Sequence, residues 1–187
     1  DNFEATEFTT TFTDSINQKD KSLVRNIKEY LAIRCGMQEV YTYPWMNDVF
    51  VNAVLQSTDG VLKLSTPPAP DMSCIRSSLL LNLCEAVAKN ERYFNDFSIF
   101  EEAQVFFDKN YTNAYDETES LPEQRRHIGA AFASSVKDIG MLFREAKGVL
   151  EYMPRYTHME AYEFKKEEKP VWADNVVSVS YTHLRAH

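Results

Sequence analysis

Between Ser73 and Ala88 the apolar positions recur every four residues, at Ile75, Leu79, Leu83 and Val87, which places them on one side of a helix. Leu80, Cys84 and Ala88 widen that stripe and Arg76 stands at its edge, so the spacing predicts a helix that is core on one face. The period then changes. After a break from Asn90 to Asn95, residues Phe97, Ile99, Glu101, Ala103, Val105 and Phe107 fall on one face of a strand, and Phe100, Glu102, Gln104 and Phe106 on the other. Ahead of the helix, Pro67, Pro68 and Pro70 fix φ and remove backbone donors on the approach to Asp71, so an extended loop without ladder pairing is expected there.

The rest of the chain alternates helices and strands without a strict βαβ repeat. Asp1 to Lys19, rich in Thr and Phe, reads as an extended lead-in. Asp20 is an expected N-cap for a helix striped by Leu23, Ile27 and Leu31, which Gly36 can end in a left-handed conformation. A strand is expected over Met37 to Tyr43, stopping before Pro44, then a short helix around Asn47 to Leu55 and a strand at Val61 to Leu64. His127 to Ser134 reads as a returning strand of small and apolar residues. Ile139 to Met153 reads as a helix closed by Pro154, with Leu142, Ala146, Val149 and Met153 inward. Tyr162, Phe164, Val177 and Val179 suggest two last strands, separated by the mixed-charge run Lys165 to Lys169. The expected class is α+β, an antiparallel sheet flanked by helices.

With 187 residues and 44% hydrophobic content, the chain supports one well-buried core and does not demand two. A net charge of -8 argues against this segment alone gripping a polyanion, because nonspecific affinity for nucleic acid comes mainly from Lys and Arg on phosphates. The acidic surplus is local: Asp108, Asp116, Glu117, Glu119 and Glu123 share their stretch with only Lys109, the pattern of a solvated loop rather than a metal site. Cys35, Cys74 and Cys84 lack CxxC spacing, so neither a disulfide framework nor zinc is suggested, and three reduced, mostly buried thiols are expected. The glycines form no phosphate-cradling loop. No apolar run approaches the length of a membrane span, and Asp1 to Glu4 has neither the basic start nor the apolar segment of a signal peptide. A piece of a larger cytoplasmic protein is the expectation.

The order proline loop, apolar helix, acid-tipped strand resembles the catalytic-like core of the phenylalanyl-tRNA synthetase β chain family, where Asn-Pro-x-Ser precedes a Leu-Arg-x-Ser-Leu-Leu helix and a Phe-Glu-x-Gly-x-Val-Phe strand. The matching residues are Pro67 in the loop, Ile75-Arg76-Ser77-Ser78-Leu79-Leu80, Asn90 beyond it, and Phe100-Glu101 with Val105-Phe106. Thr66 stands in place of the Asn, Pro68 and Ala69 replace an apolar residue and the Ser, and Ala103-Gln104 replaces the pair that contains Gly. Upstream, Leu23 to Ile27 and Cys35-Gly36-Met37-Gln38-Glu39-Val40-Tyr41-Thr42-Tyr43 are similar to the family's helix, glycine stop and Glu-Val-x-Thr-Tyr strand. Downstream, Phe143 to Glu151 is similar to its Lys-Gly-Val-x-Glu helix. The likeness runs from Asp1 to about Val177 by motif order. It sets the expected organisation: a lead-in over residues 1–19, a truncated catalytic-like domain over 20–177, and a non-native tail over 178–187. His183 and His187 are four apart in that tail, without a third ligand nearby in sequence.

The resemblance implies a class II aminoacyl-tRNA synthetase-like core, an α-chain partner in an (αβ)₂ assembly, and tRNA engaged by the assembly rather than by this segment. ATP and magnesium are implied for the full enzyme and no cofactor for this piece. Catalytic class II relatives carry an arginine after the position of Phe106, whose guanidinium holds the α-phosphate of ATP; this chain continues with Phe107 and Asp108. A catalytically silent module is therefore expected, with no catalytic, cofactor or metal residues. Arg76 and Glu101 are the most suggestive polar positions, and a structural ion pair is the preferred reading over an acid–base pair in a pocket. Phe100 belongs to the matching strand. Lys147 is expected to snorkel at a helix edge beside Gly148, and His127 to be a hydrogen-bonded strand residue. Val24, Tyr30 and Ile33 form a second, partly apolar set on the first helix that would remain for a neighbour. Two alternatives stand beside this reading: a stand-alone ATP-dependent carboxylate-activating enzyme, against which the missing arginine counts, and an interaction scaffold without a role in aminoacylation.

Overall fold

A computed structural model describes residue 11 and residues 18–55, 60–112 and 120–159. Most of the lead-in, the two last strands, the carboxy-terminal tail and Asp116, Glu117 and Glu119 lie outside the described residues.

Helix α1, Lys19–Glu29, runs on into a π turn at Tyr30–Arg34. Its stripe is the expected one, with Ile27 and Leu31 buried and Leu23 packed against them. Asp20 is not the cap: Gln18 precedes the helix without a side-chain cap bond, and Asp20 lies in the first turn, where a carboxylate complements the helix dipole. The amide of Cys35 reaches back to the Tyr30 carbonyl at 3.1 Å. Gly36, at φ +67°, then lets the chain leave in a conformation that a side chain would strain.

Three strands form the main sheet in the order β1 (Gln38–Glu39), β4 (Asp96–Thr112), β5 (Ser120–Ser134). The β4–β5 hairpin is antiparallel, with Asp96 opposite Ser134 and Glu101 opposite Gly129, and its register shifts between Phe107 and Asn110. The sheet is not wholly antiparallel, since β1 pairs parallel to β4 through Gln38 and Ile99. Strand β1 is also shorter than its apolar pattern suggests, because beyond Val40 the chain leaves the β4 edge to side-chain contacts. Of the acidic stretch expected as a loop, Asp108 and Glu123 belong instead to the two hairpin arms.

A second small sheet pairs β2 (Trp45–Met46) with β3 (Cys74–Ile75). Here the structure corrects the reading of Ser73 to Ala88 as one helix. Ile75 sits opposite Trp45 in this ladder, and helix α3 begins only at Leu80 and runs to Asn90. Asp48 enforces the difference: its carboxylate accepts from the Ser73 amide at 3.0 Å, the Ser73 hydroxyl at 2.7 Å and the Cys74 amide at 3.0 Å. That holds the chain extended where propensity alone would let it coil. Val61 to Leu64 contributes a single bridge, Lys63 to Cys74. Helix α2, Asp48–Leu55, is capped by Asn47, whose side-chain oxygen accepts from the amides of Val49 and Phe50.

Helix α4, Ile139–Thr157, is capped by Asp138 and passes through Pro154 instead of ending there. The proline removes one donor near the last turn, while buried Met153 and Thr157 keep that turn against the body. His158, in the left-handed region at φ 57°, ends it.

The alternation along β4 divides the core. Phe100 faces α1, the π turn and α4, in a cluster with Ile27, Tyr30, Leu31, Met37 and Met153. Ile99 and Val105 face the other way, under Leu79 and Leu83. Each fully buried Phe or Leu contributes roughly 1.5–3 kcal/mol. Helix α3 crosses β5 at Gly129, where an added Cβ would lie 2.8 Å from Leu83 Cδ1 and 3.1 Å from Leu79 Cβ; the glycine sets the closeness of that crossing. Leu80, Cys84 and Ala88 do not widen the buried stripe. With the helix starting at Leu80, their row is exposed, and Leu81 and Asn82 are buried instead. Of the three thiols only Cys74 is buried, Cys35 being half-buried and Cys84 exposed.

Candidate functional site

The expected pair forms. Arg76 Nη1 lies 3.0 Å from Glu101 Oε1, with the side chains 5% and 1% exposed. Its position follows from how the β4 edge is covered. The Val40 amide makes the last bond of the β1 side, to the Phe100 carbonyl at 2.8 Å. Further along, the segment after β3 takes over, with the Phe106 amide donating to the Arg76 carbonyl at 2.9 Å. Side chains bridge the gap between these bonds. Arg76 Nε donates to the Gln104 carbonyl at 2.9 Å and Nη1 to Thr42 Oγ1 at 2.9 Å. Thr42 in turn donates its amide to Glu101 Oε1 at 3.0 Å and its hydroxyl to Oε2 at 2.7 Å. Both carboxylate oxygens are thus occupied, and the arrangement does the work of a missing ladder segment. Gln104 has no signal in the sequence for this role; Thr42 stands as the Thr of the Glu-Val-x-Thr-Tyr likeness and alternates with the exposed Tyr41 and Tyr43.

Phe107 lies farther along the same strand face, packed against the cluster of Leu79, Leu83, Ile99 and Val105. The guanidinium of Arg125 sits 5.2 Å over its ring and is held by Glu123, with Nη2 to Oε1 at 2.6 Å. His127 is 6.2 Å from Phe107, ring to ring. Burial, and then the charge of Arg125, push the His127 ring below its ordinary pKa. Behind the sheet edge Asp48 is held at a pKa of about 2, chiefly by the Ser73 hydroxyl. Among the described residues no group of three or more His, Cys, Asp or Glu side chains is arranged to hold a metal ion.

The other residues singled out by sequence are dispersed. Phe100 is fully buried on the opposite sheet face. Lys147 lies on α4, 3.3 Å from Glu151 one turn on. Of the set on α1 expected to remain for a neighbour, Val24 is half-buried and Ile33 is 75% exposed. Tyr30 is not available: it is buried and donates its hydroxyl to the Val149 carbonyl at 2.8 Å. The helix is still regular at Tyr30, whose amide reaches the Asn26 carbonyl, and three residues after Ile27 its side chain falls on the buried side, toward α4. The packing also creates an open cleft for which the sequence carries no signal. It measures about 610 Å³ and lies between the π turn, the start of β4 and α4; neither Arg76 nor Glu101 lines it.

Comparison with known proteins accounts for this architecture. In overall fold the chain is similar to a pyrrolysyl-tRNA synthetase from Desulfitobacterium hafniense, with a TM-score of 0.60 at 14% identity over 79% of this chain and 50% of that one. A second structure of that enzyme gives 0.58 at 12% identity. The fold is that of a class II synthetase. By sequence it is 32% identical over 114 residues to the phenylalanine--tRNA ligase beta subunit of Brucella abortus (strain 2308), covering 60% of this chain and 13% of the relative. It is 34% identical over 77 residues to that of Ehrlichia canis, covering 41% and 10%. The chain therefore spans only about an eighth of the length of such relatives. The model of the phenylalanyl tRNA synthetase beta chain CLM domain matches residues 4–178, and the chain belongs to that family.

Proposed function

We propose that this chain is the catalytic-like module of a phenylalanine--tRNA ligase β subunit and that it performs no adenylation itself. It would support an α subunit that binds ATP, magnesium and phenylalanine and charges the tRNA, within an (αβ)₂ assembly. The observation that carries the reading is Phe107. It occupies the hairpin position where the class II resemblance calls for a phosphate-binding arginine, and its ring is packed into the α3 cluster. An aromatic ring offers phosphate no donor, and the next residue, Asp108, would repel it. Arg125 does not replace the missing group, since it already lies over Phe107 and against Glu123. The closeness of α3 at Gly129 supports the same view, because Leu79 and Leu83 occupy the face of the hairpin on which Phe107 lies. The stretches 1–19 and 178–187 are read as a lead-in and a tail to the module. No described helix is long and apolar enough to cross a membrane.

The test is phenylalanine-dependent ATP–pyrophosphate exchange, measured on the chain alone and with a purified α subunit from the same organism. Background exchange by the chain alone, together with a complex in which α is active, is expected. Exchange by the chain free of α would support the stand-alone enzyme instead, and absence of any complex would support the scaffold.

A further inference from the structure

We draw no further inference here: the strongest candidate, the open cleft between the π turn, the start of β4 and α4, carries none because nothing in the structure shows what covers it.

Discussion

Replacing Arg76 by methionine is the sharpest test of how the sheet edge is held. The substitution keeps most of the volume and removes the guanidinium. Glu101, 1% exposed, is then left with only the amide and hydroxyl of Thr42 against it, and the Gln104 carbonyl loses its donor. Removing one partner of a buried pair costs about 3–5 kcal/mol, a large share of the roughly 5–15 kcal/mol that holds a domain together. At about 2–4 °C per kcal/mol for a chain of this size, melting should fall by roughly 6–20 °C. The double variant Arg76→Met with Glu101→Leu should lose less than the sum of the two single variants, since no lone charge stays buried. Thermal unfolding followed by circular dichroism gives all four corners of the cycle. Melting of Arg76→Met within roughly 2 °C of the parent would show that the pair does not hold the edge, and would reopen Arg76 as a ligand-binding group.

Three further outcomes follow from the same contacts. Gly129→Ala should destabilise by about 1–3 kcal/mol in denaturant titration, because its Cβ would press on Leu83 and Leu79; an unchanged midpoint would mean that α3 is free to lift. Leu83→Asp should unfold the chain, since Leu83 is 2% exposed and a lone buried charge costs several kcal/mol; a native spectrum would put α3 in water. Asp48 has a depressed folded pKa of about 2 against an ordinary 3.8, so its contribution is complete above the ordinary value and disappears as pH falls toward 2. Melting curves between pH 5 and 2, roughly the window such a shift predicts, should therefore be flatter in Asp48→Asn than in the parent, and parallel curves would refute the clamp.

What the sequence made legible was set by period and by local rules. The two-residue alternation from Phe97 to Phe107 assigns Phe100 and Ile99 to opposite faces of a strand, and each face is buried in its own cluster; Gly36 marks the turn that it makes. Where the structure departs from the pattern, the causes differ. Ile75 fits a helical stripe, but Asp48, far from it in sequence, pins Ser73 and Cys74 into a ladder and moves the helix start to Leu80. Pro154 reads as a stop, yet Met153 and Thr157 are buried and carry the helix past it. Tyr30, three residues after Ile27, falls on the same side as the buried stripe, and grouping it with Val24 and Ile33 as an outer set overlooks that spacing.

The pairing of Arg76 with Glu101 was legible for a different reason: two charges that each adjoin an apolar residue, Ile75 and Phe100, are buried at least cost together. The sequence could not say why they meet where they do. Strand β4 is seventeen residues long, its partner β1 covers only two of them, and Arg76 replaces the next stretch of ladder with one backbone bond and a guanidinium. In a catalytic class II core this strand would bring an arginine to phosphate, at the place where this chain has Phe107. Here the arginine that the fold buries beside the strand serves the backbone instead. That use is the one the stability of the Arg76 variants tests, while the proposed function itself stands or falls on the exchange assay.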